Sequence, residues 1–150
     1  MSTKIKTAED QDNAYGFLIE RTAKLIKQHF HQQLRKTGAD ITVDQWVILH
    51  ELYKENGLNQ YEIAIRTFKH PPTITRIIDH LYKRKFVVRE MDTQDRRRFN
   101  ILLTQQGRDK VENLLPVVMN FRKQGWSGLT EEDFKTLQRI LEAVSSNLQR

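Results

Sequence analysis

Arg96, Arg97 and Arg98 stand in a row directly behind Asp95, within the stretch DTQDRRRFNILLT that covers residues 92–104. A guanidinium stays ionised at physiological pH and presents its N–H donors in a planar fork, so its natural partner is an oxyanion, phosphate above all. The flanking runs, Phe86-Val-Val-Arg-Glu-Met91 and Phe99-Asn-Ile-Leu-Leu103, are rich in strand formers, and Asp92-Thr93-Gln94 supplies turn residues between them. The pattern predicts a β-hairpin with three arginines at its tip. Positive charge concentrated on a projecting two-stranded ribbon suits the phosphate backbone and narrow minor groove of duplex DNA, where negative potential is highest.

A second set of polar side chains precedes the hairpin, in Pro71-Pro72-Thr73-Ile-Thr-Arg-Ile-Ile-Asp-His-Leu81. Proline fits a first helical turn, where backbone N–H groups lack intrahelical partners, so Pro71 and Pro72 open a helix. Ile74, Ile77, Ile78 and Leu81 fall on one stripe, leaving Thr73, Thr75, Arg76, Asp79 and His80 to the other faces. Threonine hydroxyls bond base edges or phosphates, and an arginine meets guanine O6 and N7 with two parallel bonds. Polar readers in the first turns of the second helix are what a helix-turn-helix requires, because that end enters the major groove first. Arg76 has a competing partner in Asp79, three residues on. Lys83, Arg84 and Lys85 read either as phosphate contacts or as complements to a helix C-terminus.

These groups depend on a succession of short elements. Phe17, Leu18, Leu25, Ile26, Phe30 and Leu34 predict a first helix from about Asn13 to Lys36, ended by Thr37-Gly38. Thr42-Val-Asp-Gln45 is a capping box opening a helix through Trp46, Val47, Leu49 and Leu52 to Asn56-Gly57. Asn59-Gln-Tyr-Glu62 is a looser version that opens a short helix with Ile63 and Ala64 inward. Beyond the hairpin, Thr104 is the expected N-cap of a helix carrying Val111, Leu114, Leu115, Val118 and Met119, with Pro116 predicting a kink or a boundary. Gly125-Trp-Ser-Gly128 reads as a turn, and Thr130-Glu-Glu-Asp133 caps a last helix striped by Phe134, Leu137, Ile140, Leu141, Val144 and Leu148. The fold class is mainly α with a small β-hairpin (α+β). The terminal helices carry more apolar surface than the central elbow can cover, so a partner subunit is expected.

Composition removes several classes of function. With 150 residues, 38% of them hydrophobic, the chain suits one domain with a single core. Residues 59–104 hold ten Lys or Arg against five Asp or Glu, so nearly all of the formal charge of +6 lies in the middle third. The absence of cysteine excludes a disulfide, a thiolate nucleophile and cysteine-ligated zinc. No apolar run is long enough to span a membrane, and the N-terminal MSTKIKTAEDQDN reads as a polar arm rather than a signal peptide, so a cytoplasmic location is expected. His29 and His31 diverge by about 200° on one helix and His50, His70 and His80 lie on separate elements, so neither a metal nor another cofactor is expected. Trp46 and His50, one turn apart, either line a pocket for an aromatic acid or make a structural ring contact. With no glycine-rich phosphate loop and no nucleophile–base set on identifiable turns, an enzyme is not expected.

The order of elements and three of the motifs resemble the MarR family of winged helix-turn-helix transcriptional regulators, over roughly residues 13–148. Asp92-Thr-Gln-Asp95-Arg96-Arg97 with Leu103-Thr104-Gln-Gln-Gly107 is similar to that family's wing and the start of its following helix. Pro72-Thr-Ile-Thr-Arg76-Ile-Ile-Asp-His-Leu81 is similar to its recognition helix, and Ile63-Ala64 to the helix before it. The resemblance implies one MarR-like domain over residues 1–150, with a winged helix-turn-helix at about 42–104 and dimerisation helices at about 13–36 and 105–148. It implies a cytoplasmic homodimer on a pseudo-palindromic duplex site, a repressor released by a small amphipathic or aromatic ligand. The residues expected at DNA are Pro72, Thr73, Thr75, Arg76, Lys83, Arg84, Asp95, Arg96 and Arg97, with Asp95 holding Arg97 in the minor groove; Trp46 and His50 are expected at the ligand. Three positions depart from the pattern: Lys85 replaces a glycine before the first wing strand, His70 replaces a Ser-like cap, and Phe68-Lys69 replaces a small and an apolar residue. If position 85 needs positive φ, lysine costs roughly 1 kcal/mol there. The alternative function is a winged-helix module for RNA or protein, without ligand response.

Overall fold

The computed structural model describes residues 15–150. The polar arm and the expected helix start at Asn13 lie outside them. Helix α1 spans Phe17–Lys36 and ends where Gly38 takes φ +71° and the Thr37 hydroxyl donates to the Leu34 carbonyl at 2.6 Å. Helix α2 (Val43–Lys54) begins with the expected capping box: Thr42 Oγ1 accepts from the Gln45 N–H, and Gln45 Oε1 accepts from the Thr42 N–H, both at 3.1 Å. Asn59 and Glu62 cap helix α3 (Gln60–Thr67) in the same reciprocal way. Helix α4 (Pro71–Lys83) carries its two prolines in the first turn, as expected.

Strands β2 (Val87–Met91) and β3 (Phe99–Leu103) form the predicted hairpin, in register Val87↔Leu103 through Met91↔Phe99. The sheet has a third strand that the sequence reading did not include. Leu58–Asn59, β1, pairs antiparallel with β3, giving the order β1-β3-β2. The side chain of Asn56 extends this edge by accepting from the Leu103 N–H at 2.9 Å.

The core lies where α2, α3, α4 and the sheet meet. Ile63, Ile74, Ile78, Leu81, Val87 and Ile101 are fully buried, and Ile77 nearly so. Full burial of each such side chain is worth about 1.5–3 kcal/mol, which fixes the short helices that propensity alone would not. Within α2, Ile48, which the sequence reading did not name, is fully buried while Val47 is only half-buried, because α2 is packed on more than one side.

Helix α5 (Gln105–Gly125) starts from Thr104, whose hydroxyl accepts from the Gly107 N–H at 3.0 Å and donates to the Lys85 carbonyl at 2.6 Å. Gly107 is required there: a Cβ would stand 2.1 Å from the Phe86 carbonyl oxygen. Val111, Leu114 and Val118 are buried, whereas Met119 is exposed. Pro116 is not a boundary, since α5 continues on both sides of it. One proline forfeits a single intrahelical bond, a loss that a long helix tolerates.

The chain divides into two compact units after Val118. In the second, Gly128 (φ +81°) closes the expected turn, Thr130 and Asp133 form a capping box, and helix α6 runs from Glu131 to Leu148. The Trp126 ring meets Phe134 edge-on at 6.0 Å. No residue of α6 is buried in the single chain.

Candidate nucleic-acid interface

The hairpin tip is built from nested turns. Asp92 Oδ1 accepts from the N–H groups of Gln94 (2.8 Å) and Asp95 (3.3 Å). Across the turn, the Asp92 N–H donates to the Arg98 carbonyl and the Arg98 N–H to that of Asp95, each at 3.0 Å. So placed, Asp95 Oδ1 accepts from the backbone N–H of Arg97 at 3.0 Å and from its Nε at 3.2 Å. Its Oδ2 lies 3.6 Å from Arg98 Nε. Bonds from the Arg97 backbone and side chain outweigh partial burial and, with the Arg98 charge, hold the Asp95 carboxyl below the usual aspartate range.

Arg97 is thus fixed at its base, while its side chain is 91% exposed. Its terminal nitrogens bond no other described residue. Arg96, beside it, is exposed and makes no bond with another described residue. The contact of Arg98, the third tip arginine, with Asp95 depends on how the turn folds.

Helix α4 presents the expected polar face. Pro72, Thr75 and Arg76 are exposed and Thr73 is half-buried. The Thr75 hydroxyl lies 3.1 Å from both Gln60 Oε1 and the Pro71 carbonyl, and its single proton serves one of them at a time. Asp79 does not engage Arg76: its carboxylate accepts from Arg89 on β2, leaving Arg76 without an acidic partner among the described residues.

The cations after α4 separate by role. Lys83 and Lys85 are exposed, and Lys85 takes φ +63°, the left-handed conformation anticipated for that position. Arg84 is turned inward: it donates to the Asp40 carbonyl, and its guanidinium lies 4.9 Å from the centroid of the Phe86 ring. This anchors one end of the guanidinium at the base of the elbow, while a third of the side chain stays exposed.

The turn between α3 and α4 passes through Phe68, also left-handed at φ 53°, and is tethered by Lys69. Asp44 Oδ1, in the first turn of α2, accepts from Lys69 Nζ at 2.8 Å and Lys27 Nζ of α1 at 3.2 Å. Burial favours the neutral acid, but the two ammonium groups overcome it and hold the Asp44 carboxyl below the usual range. His70 makes no capping bond for α4, consistent with the loss of a Ser-like cap.

Trp46 and His50 stack at 5.3 Å with ring planes 17° apart, and Phe30 meets Trp46 edge-on at 6.4 Å. Trp46 is only 2% exposed. It fills the core between α1 and α2, and its stack on the half-buried His50 is a structural ring contact. Among the described residues no three His, Asp or Glu side chains converge as metal ligands, and no helix is long and apolar enough to cross a membrane.

Comparison with known proteins gives this geometry its relatives. Residues 41–99, from just before α2 to the first residue of β3, match the model of the MarR family. The transcriptional repressor MprA of Escherichia coli (strain K12) is 26% identical over 126 residues, covering 84% of this chain and 71% of that protein. The crystal structure of an S. aureus MepR–DNA complex superposes with a TM-score of 0.80 at 30% identity, covering 89% of this chain and 98% of MepR. AbsC of Streptomyces coelicolor, a MarR family regulator, shares the fold at a TM-score of 0.82 with 21% identity, over 98% and 99% of the two chains. With a winged helix-turn-helix in the matched segment and a 30%-identical relative spanned almost end to end, this chain belongs to the MarR family of transcriptional regulators.

Proposed function

We propose that this protein is a sequence-specific regulator that binds duplex DNA as a homodimer and represses transcription. The observation that carries the reading is the tip geometry: Asp95 anchors Arg97 at Nε and backbone while the rest of the guanidinium projects, ready for the minor groove. On the same elbow the exposed Arg76 and the threonines of α4 offer base-reading groups for the major groove. MepR, 30% identical, was crystallised on DNA, and MprA is a repressor, which supports the same assignment here.

In this reading residues 42–104 read the site, with Pro72, Thr73, Thr75, Arg76, Lys83, Asp95, Arg96 and Arg97 at the DNA and Arg84 acting from beneath. Helices α1, α5 and α6 form the dimer, and the protein acts in the cytoplasm without catalysing a reaction. Release by a small amphipathic or aromatic ligand completes the scheme. Trp46 and His50 are the residues assigned to that ligand, His50 being the more accessible of the stacked pair.

Selection of bound sequences from a random duplex library tests the proposal. A single palindrome should emerge, bound with a steep salt dependence, and candidate aromatic acids should lower its recovery. Recovery of unrelated sequences at equal affinity would refute sequence-specific regulation.

A further inference from the structure

The inner face of the hairpin loses its support part-way to the tip. Val87↔Leu103 and Arg89↔Ile101 are successive same-face pairs, and Val87, Ile101 and Leu103 are all buried. The next pair outward, Met91↔Phe99, is 52% and 44% exposed. Among the described residues Arg89 is thus the outermost side chain on this face whose polar group bonds the body of the elbow. Its guanidinium bonds the Asp79 carboxylate of α4 and lies 5.2 Å from the centroid of the Tyr82 ring, one turn further along the same helix. Both contacts are to the recognition helix.

We propose that Arg89, Asp79 and Tyr82 form a brace that sets the angle of the hairpin against α4, and that Arg89 and Asp79 are positioning residues for the minor-groove contact of Arg97. The backbone connection alone is a short turn through the left-handed Lys85, closed by bonds from Lys85 N–H to the Tyr82 carbonyl and Phe86 N–H to the Leu81 carbonyl. Those bonds fix where the hairpin begins. The brace fixes where it points, because a planar guanidinium held by a carboxylate and an aromatic face has little rotational freedom. An Arg97 that arrives already aimed loses less freedom on docking. This rests on the DNA-binding reading given above.

The test is a double-mutant cycle on the selected duplex, with affinity and melting temperature both measured. Asp79→Asn and Arg89→Gln shift the net charge in opposite directions, so a general electrostatic effect would move DNA affinity in opposite senses. Loss of positioning should weaken binding in both, by roughly three- to tenfold, the cost of one newly immobilised side chain. In an Arg97→Ala background each effect should shrink below about twofold, since the brace then has nothing to aim. Melting temperatures should move little, because both side chains are partly open to solvent.

Opposite signs for the two variants, or full additivity with Arg97→Ala, would overturn the brace while leaving DNA binding intact. Wild-type affinity in Arg97→Ala itself would instead remove the wing from the interface, and the brace with it.

Discussion

Asp95 grips Arg97 twice, through the backbone N–H at 3.0 Å and through Nε at 3.2 Å, and leaves the remainder of the guanidinium in solvent. Removing either side chain should therefore weaken DNA binding by nearly the same free energy, since an untethered arginine must lose its rotamer freedom on docking. The double substitution should cost little more than Arg97→Ala alone. If the pair only staples the hairpin, Asp95→Ala and Arg97→Ala will lower the melting temperature and leave affinity unchanged. Titration and thermal melting of the three variants separate the two cases.

Arg76 and Lys83 are both exposed cations on α4, but only Arg76 lies on its early turns. Arg76→Ala should lose about 1–3 kcal/mol of binding free energy and relax preference at one base position. Lys83→Ala should weaken all sequences alike and reduce the salt slope by about one unit. Binding titrations at several salt concentrations, on the selected palindrome and on single-base variants of it, provide the comparison. The same loss of specificity from both would mean that α4 does not read bases in this orientation.

What the sequence made legible was local. The capping boxes at Thr42, Asn59 and Thr130 join residues three apart, so their chemistry is visible in four letters, and the Ile74–Leu81 stripe follows from helical period alone. Strand β1 was hidden because two residues have no periodicity and become a strand only by pairing with β3, some forty positions on. The inward turn of Arg84 toward Asp40 and the three-element junction at Asp44 depend on tertiary packing. Asp79 shows the limit most plainly: its helical neighbour Arg76 is a reasonable partner by spacing, but Arg89 reaches it across the turn and leaves Arg76 without an acidic partner among the described residues. Helical spacing placed Trp46 beside His50, but not Phe30 over Trp46.

Acid should loosen the junction at Asp44. Its folded pKa lies below the ordinary value of 3.8, so as pH falls the unfolded chain takes up this proton first. The stability it contributes is complete above the unfolded pKa and is lost as pH drops through the folded one. Asp44→Asn should therefore be less stable than wild type at pH 6, with the gap narrowing as pH falls below the ordinary aspartate range and through the lowered folded pKa. Chemical denaturation across that range gives the answer, and a constant gap would show that Lys27 and Lys69 do not depend on the ionised carboxylate.

The base of the wing contains one glycine that cannot be replaced and one lysine that strains the backbone. Gly107→Ala forces a methyl against the Phe86 carbonyl and should destabilise by about 1–3 kcal/mol, as overpacking does. Lys85→Gly relieves a left-handed side chain and should stabilise by up to about 1 kcal/mol, less what the more flexible unfolded chain takes back. Urea denaturation of both variants checks the signs. A neutral Gly107→Ala would mean that α5 can draw away from Phe86 without loss.

The exposed stripe of helix α6 predicts dimerisation. Phe134, Leu137, Ile140, Leu141 and Val144 are each 37–45% exposed in the single chain and Leu148 is 81% exposed, all on one stripe of a helix that buries nothing. A helix of 18 residues is marginal in water without such a face covered, and each of these side chains is worth about 1.5–3 kcal/mol when fully buried. Light scattering at micromolar concentration should accordingly give about twice 17.9 kDa, and the melting temperature should rise with protein concentration. Ile140→Glu places a charge in the middle of the stripe and should yield monomer with an unravelled C-terminus, while the helix-turn-helix core keeps its buried packing. Loss of the dimer should also abolish preference for two correctly spaced half-sites over one, because spacing is read only by a two-fold pair. A wild-type chain that stays monomeric, or an Ile140→Glu variant that still prefers the full palindrome, would rule out α6 as the dimer-forming surface.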